Sequence, residues 1–100
     1  MDKSEAFKKV TEFAKRVRGS INVKNIVMFG SYANGTPRED SDIDVAVIVD
    51  KIDGDFFDAS LNLYRLRRGV DERIEPVLLE FGNDKSGFLT AIMKSGMIVS

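Results

Sequence analysis

Met28-Phe29-Gly30-Ser31-Tyr32-Ala33-Asn34-Gly35-Thr36-Pro37-Arg38-Glu39-Asp40-Ser41-Asp42-Ile43-Asp44-Val45 is the stretch on which the reading of this chain turns. It opens on the end of a short apolar, β-branched run, Asn25 to Phe29, which reads as a buried strand. Gly30 to Ser41 then holds two glycines, a proline and several small polar residues, so it reads as a loop, with room for a helical turn at Ser31 to Asn34. Ile43 to Val49 is a second strand, nearly continuous in apolar residues and therefore expected to be covered on both faces. Asp42 and Asp44 stand two apart at its start, which points both carboxylates to one face. Two like charges held so close repel unless a cation lies between them or one takes up a proton. The bland alternative is that aspartate is common in turns before strands.

Outward from this stretch, Phe7, Val10, Ala14 and Val17 fall at helical spacing, which predicts an amphipathic helix from about Ser4 to Arg18, ended by Gly19 and Ser20. Downstream, Asp53 or Asp55 caps a helix running to about Gly69, with Phe56, Ser60, Leu63, Leu66 and Val70 as its inner stripe. Ile74 to Leu79 reads as a third strand, and Pro76 places it at a sheet edge or beside a bulge. A last helix is expected over Phe88 to Lys94, started by Asp84 or Ser86 and stopped by Gly96, with Met97 to Val99 as an additional strand.

The order is α-β-α-β-α-β-α, counting the helical turn in the loop, and the fold class is α/β, in the α+β sense. The expectation is a mixed three- to four-stranded sheet flanked by helices on one side. A helical crossover between the second and third strands makes those two parallel. Glu75 then takes the same position on the third strand as Asp44 on the second, at the same end of the sheet. Its alternative is an exposed strand-end charge paired with Arg73.

Composition narrows the chemistry. The 100 residues suit one small domain, residues 1–100. The chain has neither cysteine nor histidine, so disulfides, thiolate metal sites and imidazole catalysis are excluded. Metal or acid–base work falls to Asp and Glu, whose oxygen ligands suit hard cations such as Mg²⁺. A net charge of −1 argues against non-specific binding of duplex DNA. No apolar stretch is long enough to span a membrane and the N-terminus lacks a signal-peptide run, so the expected location is the cytoplasm. Gly30 and Ser31, following a strand, suit close approach of a phosphate. Gly35, Thr36 and Ser41 fit the same picture, as does Arg38 for neutralising phosphate charge, though each equally fits an ordinary loop.

Taken together, Gly30-Ser31, ten residues, then Asp42-Ile43-Asp44 resembles the signature of the DNA polymerase beta-like nucleotidyltransferase superfamily. The fuller run from Phe29 to Val45 resembles the minimal nucleotidyltransferases of prokaryotes, and the resemblance extends from about Val23 to Leu79. It implies that Gly30 and Ser31 hold the triphosphate. It implies that Asp42, Asp44 and Glu75 are the catalytic and metal-binding acids for two Mg²⁺ ions. The third acid in this family is most often Asp, so Glu75 is a departure, one methylene longer. The implied reaction is transfer of AMP from ATP to a hydroxyl. Similar minimal proteins act as antitoxins beside a small helical protein of the HEPN type, and some place AMP on its tyrosine. Two other readings stay open. One is a binding module that neutralises its partner by contact. The other is a small-molecule enzyme of the aminoglycoside-modifying kind, completed as a homodimer. The apolar residues Leu89, Ile92, Met93, Met97 and Ile98, and the helix from Phe56 to Tyr64, are candidates for a partner surface.

Overall fold

In the computed structural model, residues 1–38 and 40–100 are described; Glu39, the sequence neighbour of Arg38, lies outside the described residues. Helix α1, Lys3–Ser20, begins where the Asp2 carboxylate accepts the Glu5 N–H at 2.8 Å, satisfying one of the free donors of the first turn. It runs two residues past the expected stop, taking in Gly19 and Ser20. Its buried stripe is Ala6, Val10, Phe13, Ala14 and Val17, while Phe7 packs at the margin.

Strand β1 is Asn25–Phe29, and a four-residue helix α2, Ser31–Asn34, follows. Strand β2 is Ile43–Val49, helix α3 is Phe56–Leu66 and strand β3 is Ile74–Glu80. Helix α4, Phe88–Ser95, and the short strand β4, Met97–Ile98, complete the order. Asp55 caps α3 by accepting the Asp58 N–H at 3.1 Å. Asp84 serves the start of α4, accepting from Leu89 N–H at 2.8 Å and Thr90 N–H at 3.0 Å.

The sheet order is β3-β2-β1-β4. β1 is antiparallel to β2 and to β4, and β2 is parallel to β3, as the helical crossover predicts. Pro76 sits on β3, an edge strand, where its missing N–H breaks no ladder on the inner side.

Helices cover both faces of the sheet, which corrects the expectation of one side. Ile43, Val45, Val47 and Val49 pack with α1 and α3 residues. The alternate residues Ala46 and Ile48 pack with Val27, Leu89 and Ile92, under α4. Strand alternation explains why β2 reads as unbroken apolar sequence: each face has its own cover. A second correction concerns α3. Phe56, expected on its inner stripe, is 56% exposed, and Phe57 is 66% exposed. The helix docks instead through Leu63, with Ala59 and Leu66 packed beside it. No helix among the described residues is long and apolar enough to cross a membrane.

Candidate active site

Gly30 follows β1 with φ 74° and ψ −151°, a backbone conformation that only glycine adopts at low cost. Space makes the same demand, because a Cβ on Gly30 would overlap Oδ2 of Asp44. The antiparallel register explains the contact: Phe29 is the partner of Asp44, so the residue after Phe29 lies against the Asp44 carboxylate. Ser31 begins α2, and the loop then closes on itself, with Asn34 N–H on Gly30 O at 3.0 Å and Thr36 N–H on Ser31 O at 2.9 Å. Gly35 ends the turn in the left-handed region at φ 75°. Tyr32 and Ala33, inside the turn, are buried and anchor it to the core.

Arg38 and Ser41 form a reciprocal turn. The Ser41 N–H donates to Arg38 O at 3.1 Å, and the Arg38 N–H donates to Ser41 Oγ at 2.7 Å. The Arg38 side chain is exposed, and the Ser41 hydroxyl still has its own hydrogen to donate.

On the other side of β2, the parallel register pairs Asp44 with Glu75 directly. They share a sheet face, on neighbouring strands about 4.8 Å apart. Asp42 is exposed, while Asp44 and Glu75 are half-buried. Burial pushes the Asp44 carboxyl above its usual range, and the charges of Asp42 and Glu75 push it further. Among the described residues, no three acidic side chains close up tightly enough to hold an ion as they stand. Oxygen donors of this kind are chemically suited to Mg²⁺.

Arg73, the alternative partner for Glu75, is engaged elsewhere: it pairs with Asp71 at 2.8 Å. Glu75 instead accepts a hydrogen bond from Tyr64, with Oη 3.2 Å from Oε2. Burial raises the Tyr64 hydroxyl above its usual range, and the neighbouring Glu75 charge adds to this. Arg67 lies over the Tyr64 ring, 4.8 Å from its centre, and donates to the carbonyls of Glu72 at 2.9 Å and Ile74 at 2.8 Å. Neither Tyr64 nor Arg67 stands out in sequence. Their i, i+3 spacing is ordinary for a helix, and only the packing of α3 on β3 shows what they touch.

A cleft of about 330 Å³ opens beside this corner, lined by Leu61, Tyr64, Arg65, Arg67, Arg68 and Glu72. Another, about 320 Å³, lies at the far end of the sheet among Val23, Val49, Asp53 and neighbours, and contains none of the residues above.

The sequence model of a family described as a nucleotidyltransferase domain matches residues 8–95, most of the chain. The chain belongs to that nucleotidyltransferase domain family. The activity of the family is nucleotidyl transfer, and a nucleoside triphosphate is its implied substrate. A crystal structure from Sulfolobus solfataricus, provisionally named a nucleotidyltransferase, has the same fold. It superimposes with a TM-score of 0.72 at 24% identity, over 96% of this chain and 80% of that one. A search of curated proteins finds no significant match.

Proposed function

We propose that this nucleotidyltransferase domain transfers AMP from ATP to a hydroxyl group, that of a tyrosine on a small helical partner of the HEPN type. The observation that carries the chemistry is the register: Asp44 is paired with Glu75 on one side and pressed against Gly30 on the other. Asp42, Asp44 and Glu75 are the acids we assign to two Mg²⁺ ions, which when bound would supply positive charge to the phosphate oxygens and the attacking hydroxyl.

The chain's own residues have distinct parts in this proposal. Gly30 and the free N–H groups of the α2 turn receive the β- and γ-phosphates, with Ser31, Ser41 and Arg38 as further donors. The acceptor oxygen forms a bond to the α-phosphorus, and the bond from that phosphorus to the bridging oxygen breaks. Pyrophosphate leaves, and the acceptor proton passes to Glu75. Placement and charge complementarity supply the rate, with no covalent intermediate on the protein.

Support for a protein acceptor comes from the surface. Phe56, Phe57 and Leu61 on α3 are exposed at 56%, 66% and 38%, on the helix that also bears Tyr64. The other candidate surface is mostly used up: Leu89 and Ile92 are core residues, while Ile98 remains exposed. The test is incubation with α-labelled ATP, Mg²⁺ and a small helical protein of the HEPN type from the same source. Label should appear on the partner, with pyrophosphate released. A partner that binds but takes up no label would overturn the enzymatic reading in favour of contact alone, and label that persists undiminished with Asp44→Asn would overturn the role assigned to Asp44.

A further inference from the structure

We infer that Tyr64 is a positioning residue for Glu75: its hydroxyl fixes the direction in which the longer third acid presents its other carboxylate oxygen to the site. This rests on the role proposed for Glu75 above. Glutamate has one more rotatable bond than aspartate, so a glutamate at this place needs an added restraint to hold its carboxylate still. Tyr64 supplies one, through Oη to Oε2 at 3.2 Å. The hydrogen bond engages one oxygen and leaves Oε1 outside it, on the residue that the β2–β3 register pairs with Asp44.

The tyrosine is itself held. The Arg67 guanidinium covers its ring at 4.8 Å from the centre, and the same guanidinium donates to the carbonyl of Ile74, the residue before Glu75. A further bond to the Glu72 carbonyl at 2.9 Å fixes the arginine to the turn that leads into β3. Helix and strand are thus tied twice, once through backbone and once through the carboxylate. The alternative restraint, Arg73, is committed to Asp71. Hydrogen bonds that orient a metal-facing carboxylate typically change affinity or rate by about 10–100-fold when removed.

Tyr64→Phe isolates the hydroxyl, since the ring, its packing and the guanidinium above it all remain. The melting temperature of the apo protein should be unchanged. Mn²⁺ affinity, measured by titration with a non-hydrolysable ATP analogue present, should fall about tenfold, and kcat should fall by a similar factor with KM for ATP held. Glu75→Asp provides the control. The shorter acid no longer reaches Tyr64, so in that background Tyr64→Phe should alter neither Mn²⁺ affinity nor kcat. Equal losses in both backgrounds would show that Tyr64 acts through general structure, and would overturn the inference. Wild-type Mn²⁺ affinity in Tyr64→Phe would overturn it as well, while leaving the transfer reading intact. A wild-type protein that binds no Mn²⁺ and transfers no AMP would overturn both.

Discussion

Gly30 and Asp44 meet because β1 and β2 are antiparallel neighbours joined by one loop, whereas Glu75 and Tyr64 meet only after a crossover helix has packed onto an edge strand. The first corner is held by backbone: a positive-φ glycine, a ladder partner and a turn closed on its own carbonyls. The second is held by side chains, a tyrosine hydroxyl and an arginine bonded to two carbonyls. Backbone geometry tolerates almost no substitution at its key position, while a side-chain network is adjustable. In the reaction proposed here the first corner takes the triphosphate, common to the whole family, and the second faces the acceptor. A fixed corner for the invariant substrate and an adjustable one for the variable substrate is a consistent division.

The largest expected effect strikes the point where the corners join. Asp44→Asn keeps the shape and removes one charge from between Asp42 and Glu75. Transfer should fall by about 10²–10³-fold or more, as when a group that stabilises transition-state charge is lost. Apo stability should hold level or rise, because the charged form of Asp44 is disfavoured by burial and by its acidic neighbours. Radiolabel transfer and a melting curve on the same preparation check both halves. A clear drop in melting temperature would mean that Asp44 has a structural partner, and the view of it as a strained, functional acid would fail.

The next comparison sets two glycines against each other. Gly30 and Gly96 both lack room for a Cβ, but for different reasons. At Gly96 a Cβ would press on Val27 Cγ1 at 2.6 Å and the Ile92 carbonyl at 2.7 Å, with an ordinary φ of −81°. Gly30 combines positive φ with the Asp44 carboxylate. Each alanine substitution should cost about 1–3 kcal/mol of stability, measured by denaturant melts. Gly30→Ala should also abolish ATP binding, while folded Gly96→Ala protein should bind ATP like the wild type. Matched ATP affinities would mean that Gly30 is a purely architectural glycine.

The same contrast explains what could be read from sequence. The Gly30 corner was legible because its determinants are consecutive: an apolar strand, a glycine, small polar residues, then Asp-x-Asp entering a β-branched run. Parallel pairing of β2 with β3 followed from the helix between them, and it brought Glu75 beside Asp44 as expected. The side of the sheet taken by α4 did not follow. Residues on both faces of β2 are apolar, so the strand does not say which helix covers which face. Nor did the inner stripe of α3 begin correctly. Phe56 fits the helical period, but it stands in the first turn of α3, where it stays exposed, and the helix docks further along through Leu63. Tyr64 escaped notice because a tyrosine one position after Leu63 reads as a flank of the apolar stripe. Its value comes from the edge strand beneath it, which sequence spacing does not locate.

A smaller effect on stability, with a larger one on partnership, is expected at the outer face of α3. Phe57→Ser with Leu61→Ser removes exposed apolar groups, so folding stability should change by only about 0.5 kcal/mol. AMP transfer to the helical partner should weaken through a raised KM for the partner, with ATP affinity unchanged. Unaltered partner kinetics would move the acceptor surface away from this face and towards Ile98 or Phe88.

The smallest effect separates two aspartates by the sign of their pH dependence. The Asp44 carboxyl is raised above its ordinary value, by burial first and then by Asp42 and Glu75. Its contribution favours the folded state at low pH and is lost as pH rises through the raised value. Asp71 is the reverse: hydrogen bonds from Arg73 hold its carboxyl below the ordinary range. Its contribution is present above the ordinary aspartate value and is lost as pH falls through the lowered one. Acidifying the apo protein from neutrality should therefore raise the melting temperature slightly as Asp44 protonates, then lower it as Asp71 does. Mg²⁺ should remove the first rise, since a cation among the acids relieves the same repulsion that a proton would. Asp44→Asn should remove it too, and Asp71→Asn should spare it while blunting the acid-side fall. Because Asp71 and Arg73 are partly solvated, that last change should be slight and should shrink in high salt. A melting temperature that declines steadily from neutrality, in chelator and in Mg²⁺ alike, would show that the carboxylates around Asp44 exert no net strain on the fold.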